Sequence, residues 1–412
     1  MVMRMVKVAL SINLPNKSPE RIDMLDAIRG FALFGILLMN LEAFTGPIMQ
    51  AVTGINAQLQ GADRWSDAFI YIFVQGKFWT LFSTLFGVGF AVMYDRLQAC
   101  GADFSDIYRR RLWALLGFGL LHVLLIWEGD ILLTYALAGF AFFFFFGKPS
   151  APKILTIILL YTIPLLLIGL SGLLAPTSET ASQDLTKQLS TEAAVIAQGS
   201  YAAVLHWRLH ELPGMLAFNV IFLPMVIAMF ALGARLYRTG KVTPADQFSA
   251  SALGKALLIW LAGLAVILLS VRIAPEVNPL GGGPVFAQVF VLNAIGSLLM
   301  CLGYFFTFRS LWPLPYMQRH FGKLAPLGRM ALSNYLGHSV ICTYIFYGYG
   351  LGYYQQLPRV WHIPFAVALI ALQTAFSTWW LKRYSMGPAE YIWRWLTYGK
   401  RPKFVLYRLN SL

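Results

Sequence analysis

Three polar side chains fall at one depth in otherwise apolar blocks: Asn40, about four residues from the end of the first block, His122, about five from the end of the third, and Asp130, which opens the fourth. A carboxylate that accepts a hydrogen bond from one imidazole nitrogen fixes the tautomer and raises the basicity of the other nitrogen, as a general base requires. His122 is therefore the candidate base and Asp130 its orienting partner. The Asn40 amide is the candidate donor to a developing oxyanion. Glu42 and Glu128 lie slightly nearer the same end, with Glu128 a second candidate for the orienting role. The same residues have a plain structural reading, in which His122 bonds a backbone carbonyl and the acids are interfacial loop residues.

Lys77 is the one basic residue inside an apolar block, about ten residues and so about 15 Å deep. An ammonium at that depth requires a carboxylate, an anion or water, so Lys77 is expected to face the protein interior. The Gly76-Lys77 pair points to a local helix break. Asn334 and His338 are four apart and share one helical face, with Ser333 and Tyr335 beside Asn334. They line a path or bond neighbouring helices. Arg29 and Arg109 to Arg111 are candidates to meet phosphates, although their topological placement is itself a sufficient reason for them.

The familiar soluble signatures, a dinucleotide fingerprint, a phosphate-binding loop, an HExxH helix and a GxSxG elbow, are absent from the chain. Three cysteines give neither a disulfide framework nor a thiolate metal site, and no metal is expected. YGYGLG at Tyr347 to Gly352 ends an ordinary block and lacks the re-entrant pore helix of an ion filter.

The elements that must position these residues are apolar blocks of about 17 to 25 residues, the length of a bilayer-spanning helix. Of the 412 residues, 58% are hydrophobic and 12% charged, which excludes a soluble enzyme. Ten spans are expected: 27–44, 69–93, 112–127, 131–146, 154–174, 215–237, 252–271, 285–308, 330–350 and 363–381. The class is an all-α polytopic membrane bundle. If the N-terminus is cytoplasmic, 26 of the 32 lysines and arginines fall on inside segments and five outside, so both termini are expected in the cytoplasm. That bias accounts for the net charge of +14 and removes nucleic acid as a partner. Residues 1–26 read as a retained cytoplasmic tail, 27–174 and 213–381 as two membrane halves, 175–212 as the one long outside segment, and 382–412 as a basic inner tail. The outside segment has a helix-like stretch from Asp184 to Gln198. Glycine pairs Gly87/Gly89 and Gly117/Gly119 are expected to allow close helix approach. The run Phe142 to Phe146 needs only a lipid-facing span.

Five stretches carry a family resemblance: RIDMLDAIRGFALFGILLMN at Arg21 to Asn40, GKFWTLF at Gly76 to Phe82, HVLLIWEGDILLTYALAG at His122 to Gly139, GRMALSNYLGHSVICTYIFYGYGLG at Gly328 to Gly352, and GPAEYIWRWLTYG at Gly387 to Gly399. Together they resemble the YeiB-like proteins of bacterial inner membranes. The last two belong to domain of unknown function 418, expected at roughly 233–400. LDAIRG and Asn40 are also distantly similar to the first span of transmembrane acyltransferases, including the heparan-glucosaminide group. The likeness implies a multi-pass inner-membrane protein that moves an acyl group from cytoplasmic acyl-CoA to a carbohydrate or lipid-linked acceptor outside. Acyl-CoA is then a co-substrate, with no tightly bound cofactor. The heparan enzymes place their histidine in the outer loop after the first span, whereas Phe44 to Trp65 here contains none, so His122 must supply the base. Rival readings are a transporter of a small anionic solute, with Lys77 as counter-charge and Asn334 and His338 along the path, and a non-catalytic membrane scaffold.

Overall fold

The computed structural model describes residues 23–147, 151–174, 179–278 and 283–405. Most of the expected N-terminal tail, residues 1–22, lies outside the described residues, as do Lys148 and Arg408. The described chain is helical, and its only β pairings are two isolated bridges.

Among the described residues, seven helical segments are long and apolar enough to cross a bilayer: Asp23–Thr45, Gly61–Ala99, Ile154–Leu174, Tyr201–Arg238, Ala250–Ile273, Gly283–Leu311 and Arg359–Leu381. The remaining expected spans are shorter or less uniformly apolar helices. We label the helices used below α1 (Asp23–Thr45), α2 (Gly61–Phe73), α3 (Lys77–Ala99), α4 (Phe104–Leu125), α5 (Leu132–Phe146), α6 (Ile154–Leu174), α7 (Glu179–Gln198), α8 (Tyr201–Arg238), α9 (Ala250–Ile273), α10 (Gly283–Leu311), α11 (Pro315–Phe321), α12 (Ala325–Arg329), α13 (Ala331–Phe346), α14 (His362–Leu381) and α15 (Pro388–Tyr398).

Helix α1 is the axis of the bundle. It is buried along most of its length and packs against α3, α12, α13 and α14. Small residues set those approaches: a Cβ on Gly30 would lie 2.3 Å from the Leu324 carbonyl oxygen, and one on Gly328 would lie 2.0 Å from that of Asp26. Helices α3 and α8 meet similarly at Gly87 and Gly233, whereas Gly89 and Gly117 face open space. Thus one member of each expected glycine pair, Gly87 and Gly119, makes a close approach. Helices α6 and α9 turn leucine and isoleucine outward over much of their surface, as lipid-facing helices must where the surrounding solvent is hydrocarbon. The phenylalanine run is divided: Phe142 is core, while Phe144 and Phe145 are exposed.

The expected second span is two helices. After Phe73 the chain breaks at Gly76, whose φ of +81° is the left-handed conformation that glycine adopts freely. The expected outside segment forms α7, which extends further toward its N-terminus than the 184–198 stretch. It lies over the connection at Tyr347: Gly348 N–H donates to the Ile196 carbonyl at 2.8 Å, and Ile48 N–H donates to Glu192 Oε1 at 2.8 Å.

Candidate active site

His122 closes the last turn of α4, and the chain reverses through Trp127-Glu128-Gly129 into α5. Gly129 is required where the Trp127 indole folds back over this turn, because an added Cβ would lie 2.3 Å from the ring. Asp130 sits just before α5, and its Oδ2 accepts from the Leu133 backbone N–H at 2.6 Å. That bond satisfies one of the orphan donors at the helix start and fixes the carboxyl. Its Oδ1 lies 2.8 Å from His122 Nδ1, and both side chains are fully buried. The separation is short, but the oxygen lies off the ring N–H direction, and His122 Nε2 has no protein partner.

Aromatic rings hold the imidazole in place. Tyr335 of α13 lies 5.2 Å from it, Trp127 6.4 Å, and Tyr335 also packs against His338 at 5.9 Å. The Tyr335 hydroxyl accepts from the Ile131 N–H at 3.2 Å. His338 is buried, with Nε2 unpartnered. The site therefore joins the α4–α5 turn to α13, two regions more than 200 residues apart in sequence.

The acids expected near one cleft form three separate pairs. Asp130 takes His122. Glu128 takes Arg208 Nε of α8 at 3.0 Å. Glu42 takes Arg359 at 2.5 Å, and Arg359 also holds Asp67 at 2.9 Å. Thr45 and His362 lie beside this last group, with their side chains 3.3 Å apart. Asn40 stands one turn before Phe44 on the same face of α1, and Phe44 stacks on Trp127 at 4.1 Å. The Asn40 amide is partly exposed and has no side-chain hydrogen bond to His122 or Asp130 in this arrangement.

Other candidate residues are placed apart. Asn334 donates to the Leu327 carbonyl and to Ser377 Oγ, at 3.1 and 2.9 Å, tying α13 to α12 and α14. Lys77 is fully buried, and its Nζ donates at 2.9 Å to the Tyr71 carbonyl, an acceptor left free at the end of α2. Its protein partner is thus a backbone carbonyl rather than a carboxylate. Arg29 lies eleven residues before Asn40 on α1, where it pairs with Asp26 at 2.6 Å. Among the described residues, no group of three or more histidine, cysteine, aspartate or glutamate side chains is arranged to hold a metal.

Arg208 and Tyr347 are the residues that sequence reasoning passes over. In the sequence Arg208 is only one of five outside cations, and Tyr347 only part of the YGYGLG stretch. An arginine in a segment expected outside and so poor in basic residues is the available signal.

Comparison with known proteins gives the chain its relatives. It is 33% identical to the Bacillus subtilis protein named uncharacterized protein YxaH, over 93% of this chain and 96% of the relative. The chain belongs to the YxaH/YeiB family. The Escherichia coli (strain K12) member, uncharacterized protein YeiB, is 29% identical over 92% of this chain and 96% of its own. A Bacillus acidopullulyticus protein described as an uncharacterized 39.9 kDa protein in the amylase 3' region is 25% identical over 93% and 95%. The family description "Protein of unknown function (DUF418)" matches residues 236–400. No solved structure matches the chain significantly. The DUF418 match begins near the end of α8, so the His122–Asp130 pair lies ahead of it, while Tyr335 and His338 lie within it.

Proposed function

We propose that this YxaH/YeiB-family protein is a multi-pass acyltransferase of the bacterial inner membrane, with both termini cytoplasmic. It takes an acyl group from cytoplasmic acyl-CoA and delivers it to a carbohydrate or lipid-linked hydroxyl outside. The observation that carries the reading is the buried His122–Asp130 pair with Nε2 left free. A carboxylate beside Nδ1 favours the tautomer with the proton there, and leaves the Nε2 lone pair to act as base. Nε2 removes the acceptor's hydroxyl proton as that oxygen bonds to the thioester carbonyl carbon. The C–S bond then breaks, the sulfur leaves with the proton from the imidazolium, and the products are an ester and CoA.

Asp130 stabilises the transient imidazolium, with Glu128 engaged by Arg208 instead. Asn40, on the α1 face beneath Phe44, is the proposed oxyanion donor. Arg29, and Arg111 stacked 3.7 Å from the Trp393 ring, are proposed to meet CoA phosphates at the inner end. The transporter reading needs Lys77 as a counter-charge for an anion. The bond from Lys77 to the Tyr71 carbonyl, and the engagement of Asn334 by Leu327 and Ser377, speak against it.

The test uses protein reconstituted in liposomes with radiolabelled acetyl-CoA on the inner side and a carbohydrate acceptor on the outer side. Label covalently bound to the acceptor supports the enzyme. Solute flux with no covalent product overturns it in favour of a transporter.

A further inference from the structure

Beside the proposed dyad lies a second group of buried polar atoms, roofed by α7. Arg208 is 3% exposed, and its Nε is taken by Glu128, but neither Nη group has an aligned hydrogen-bond partner, although the Tyr349 hydroxyl lies nearby. Its guanidinium stands 5.8 Å from the Tyr347 ring, which in turn packs edge-on to Tyr354 at 6.0 Å. The hydroxyls of both tyrosines and the Trp127 indole N–H are buried without a partner. A buried donor without an acceptor costs about 1–3 kcal/mol, so five such groups in one place are a strong preference for something that accepts hydrogen bonds.

We infer that this cluster of unpartnered groups binds an uncharged, hydroxyl-rich group, a sugar ring, with Arg208 as its principal donor and Tyr347 and Tyr354 beside it. Three observations set the class. Glu128 already balances the Arg208 charge, so an anion entering here would bring a negative charge with no counter-charge left for it, while a neutral hydroxyl accepts from Nη and donates to Glu128. Glu192 of α7 lies within electrostatic range of Tyr354 and supplies no positive charge for an anion. Aromatic faces suit the C–H side of a sugar, and their hydroxyls suit its rim. Trp127 packs edge-on to the His122 ring and is the residue before Glu128, which holds Arg208, so a ligand here sits on the same turn as the proposed base. The inference names the acceptor of the reaction proposed above and rests on that reading for its role, but binding itself needs no acyl-CoA.

The experiment is a tryptophan-fluorescence titration of the full chain, purified in a zwitterionic detergent free of sugar headgroups, with glucose, N-acetylglucosamine, trehalose and glucuronate as probes. At least one neutral sugar is expected to give saturable binding, weakened tenfold or more in the Tyr347→Phe/Tyr354→Phe double variant. That variant removes hydroxyls that bond nothing in the protein, so it should fold as well as the parent. Arg208→Gln should abolish the binding. No saturation with any neutral sugar, tighter binding of glucuronate, or an unchanged affinity in the double phenylalanine variant would overturn the inference. Sugar binding without acyl transfer would sink the enzyme reading alone; acyl transfer without sugar binding would sink this site alone.

Discussion

Lys77 Nζ donates to the carbonyl of Tyr71 across the Gly76 break, at 2.9 Å. The bond joins the last turn of α2 to the first residue of α3. A cation at a helix C-terminus satisfies a carbonyl that has no intrahelical partner and interacts favourably with the helix dipole. The arrangement depends on Gly76, because an added Cβ there would have a left-handed backbone and would lie 2.6 Å from Ser297 Oγ. Gly76→Ala is expected to destabilise the protein by at least about 1–2 kcal/mol, the cost of the left-handed conformation alone. Thermal unfolding in detergent measures it, and Ser297→Ala in the same background should recover part of the loss. An alanine variant as stable as the parent would show that this geometry does not hold the break.

Arg359 bridges Glu42 and Asp67, from α1 and α2, at the start of the last apolar segment. Both carboxylates are nearly buried, so removing the arginine leaves two unpaired charges with little water. Arg359→Ala is expected to cost about 3–5 kcal/mol, the penalty for breaking a buried pair. Adding Glu42→Gln should restore a share of it. Equal stability of Arg359→Ala and the parent, by thermal midpoint, would show that water already screens this cluster.

Glu192 gives a pH signature. Burial under α7 raises its carboxyl from 4.5 to about 8, against the lowering effect of the Ile48 N–H, with Glu128 and Glu211 adding to the rise. The folded chain then holds a proton that the unfolded chain loses above about 4.5. The stabilisation is complete below that value and is lost as pH rises through about 8. Glu192→Gln keeps an acceptor for Ile48 and cannot ionise. The parent's thermal midpoint should therefore fall more steeply than the variant's between about pH 5 and 9. Parallel slopes would show that Glu192 is ionised in the folded state.

The membrane class and most helix positions are legible in the sequence because apolar length and periodicity are local properties. Ile154–Leu174 agrees with its expected span to the residue, and the break at Gly76 is marked by the glycine itself. The pairing of His122 with Asp130 is also within reach, since a three-residue connection leaves the two helix ends adjacent. What stays hidden is the choice among partners. Nothing in the spacing says that Glu128 takes Arg208, 80 residues on, or that Glu42 takes Arg359, 317 residues on. Nor can it say that Tyr335, not Asn334, is the α13 residue beside the imidazole. Those contacts come from how α13 and α14 pack against α1 and how α8 packs against α4 and α5, which hydrophobic blocks do not encode.

His122, oriented by Asp130, is the base of the proposed acyl transfer. Its most direct measurement is the initial rate of acetyl transfer from labelled acetyl-CoA by the parent, His122→Ala and Asp130→Asn proteins, each first shown to unfold cooperatively in detergent. His122→Ala is expected to lose about 10²- to 10⁴-fold, the contribution of a positioned general base, and Asp130→Asn to show a large but smaller loss. A folded His122→Ala protein that transfers acetyl at the parent rate would contradict this role.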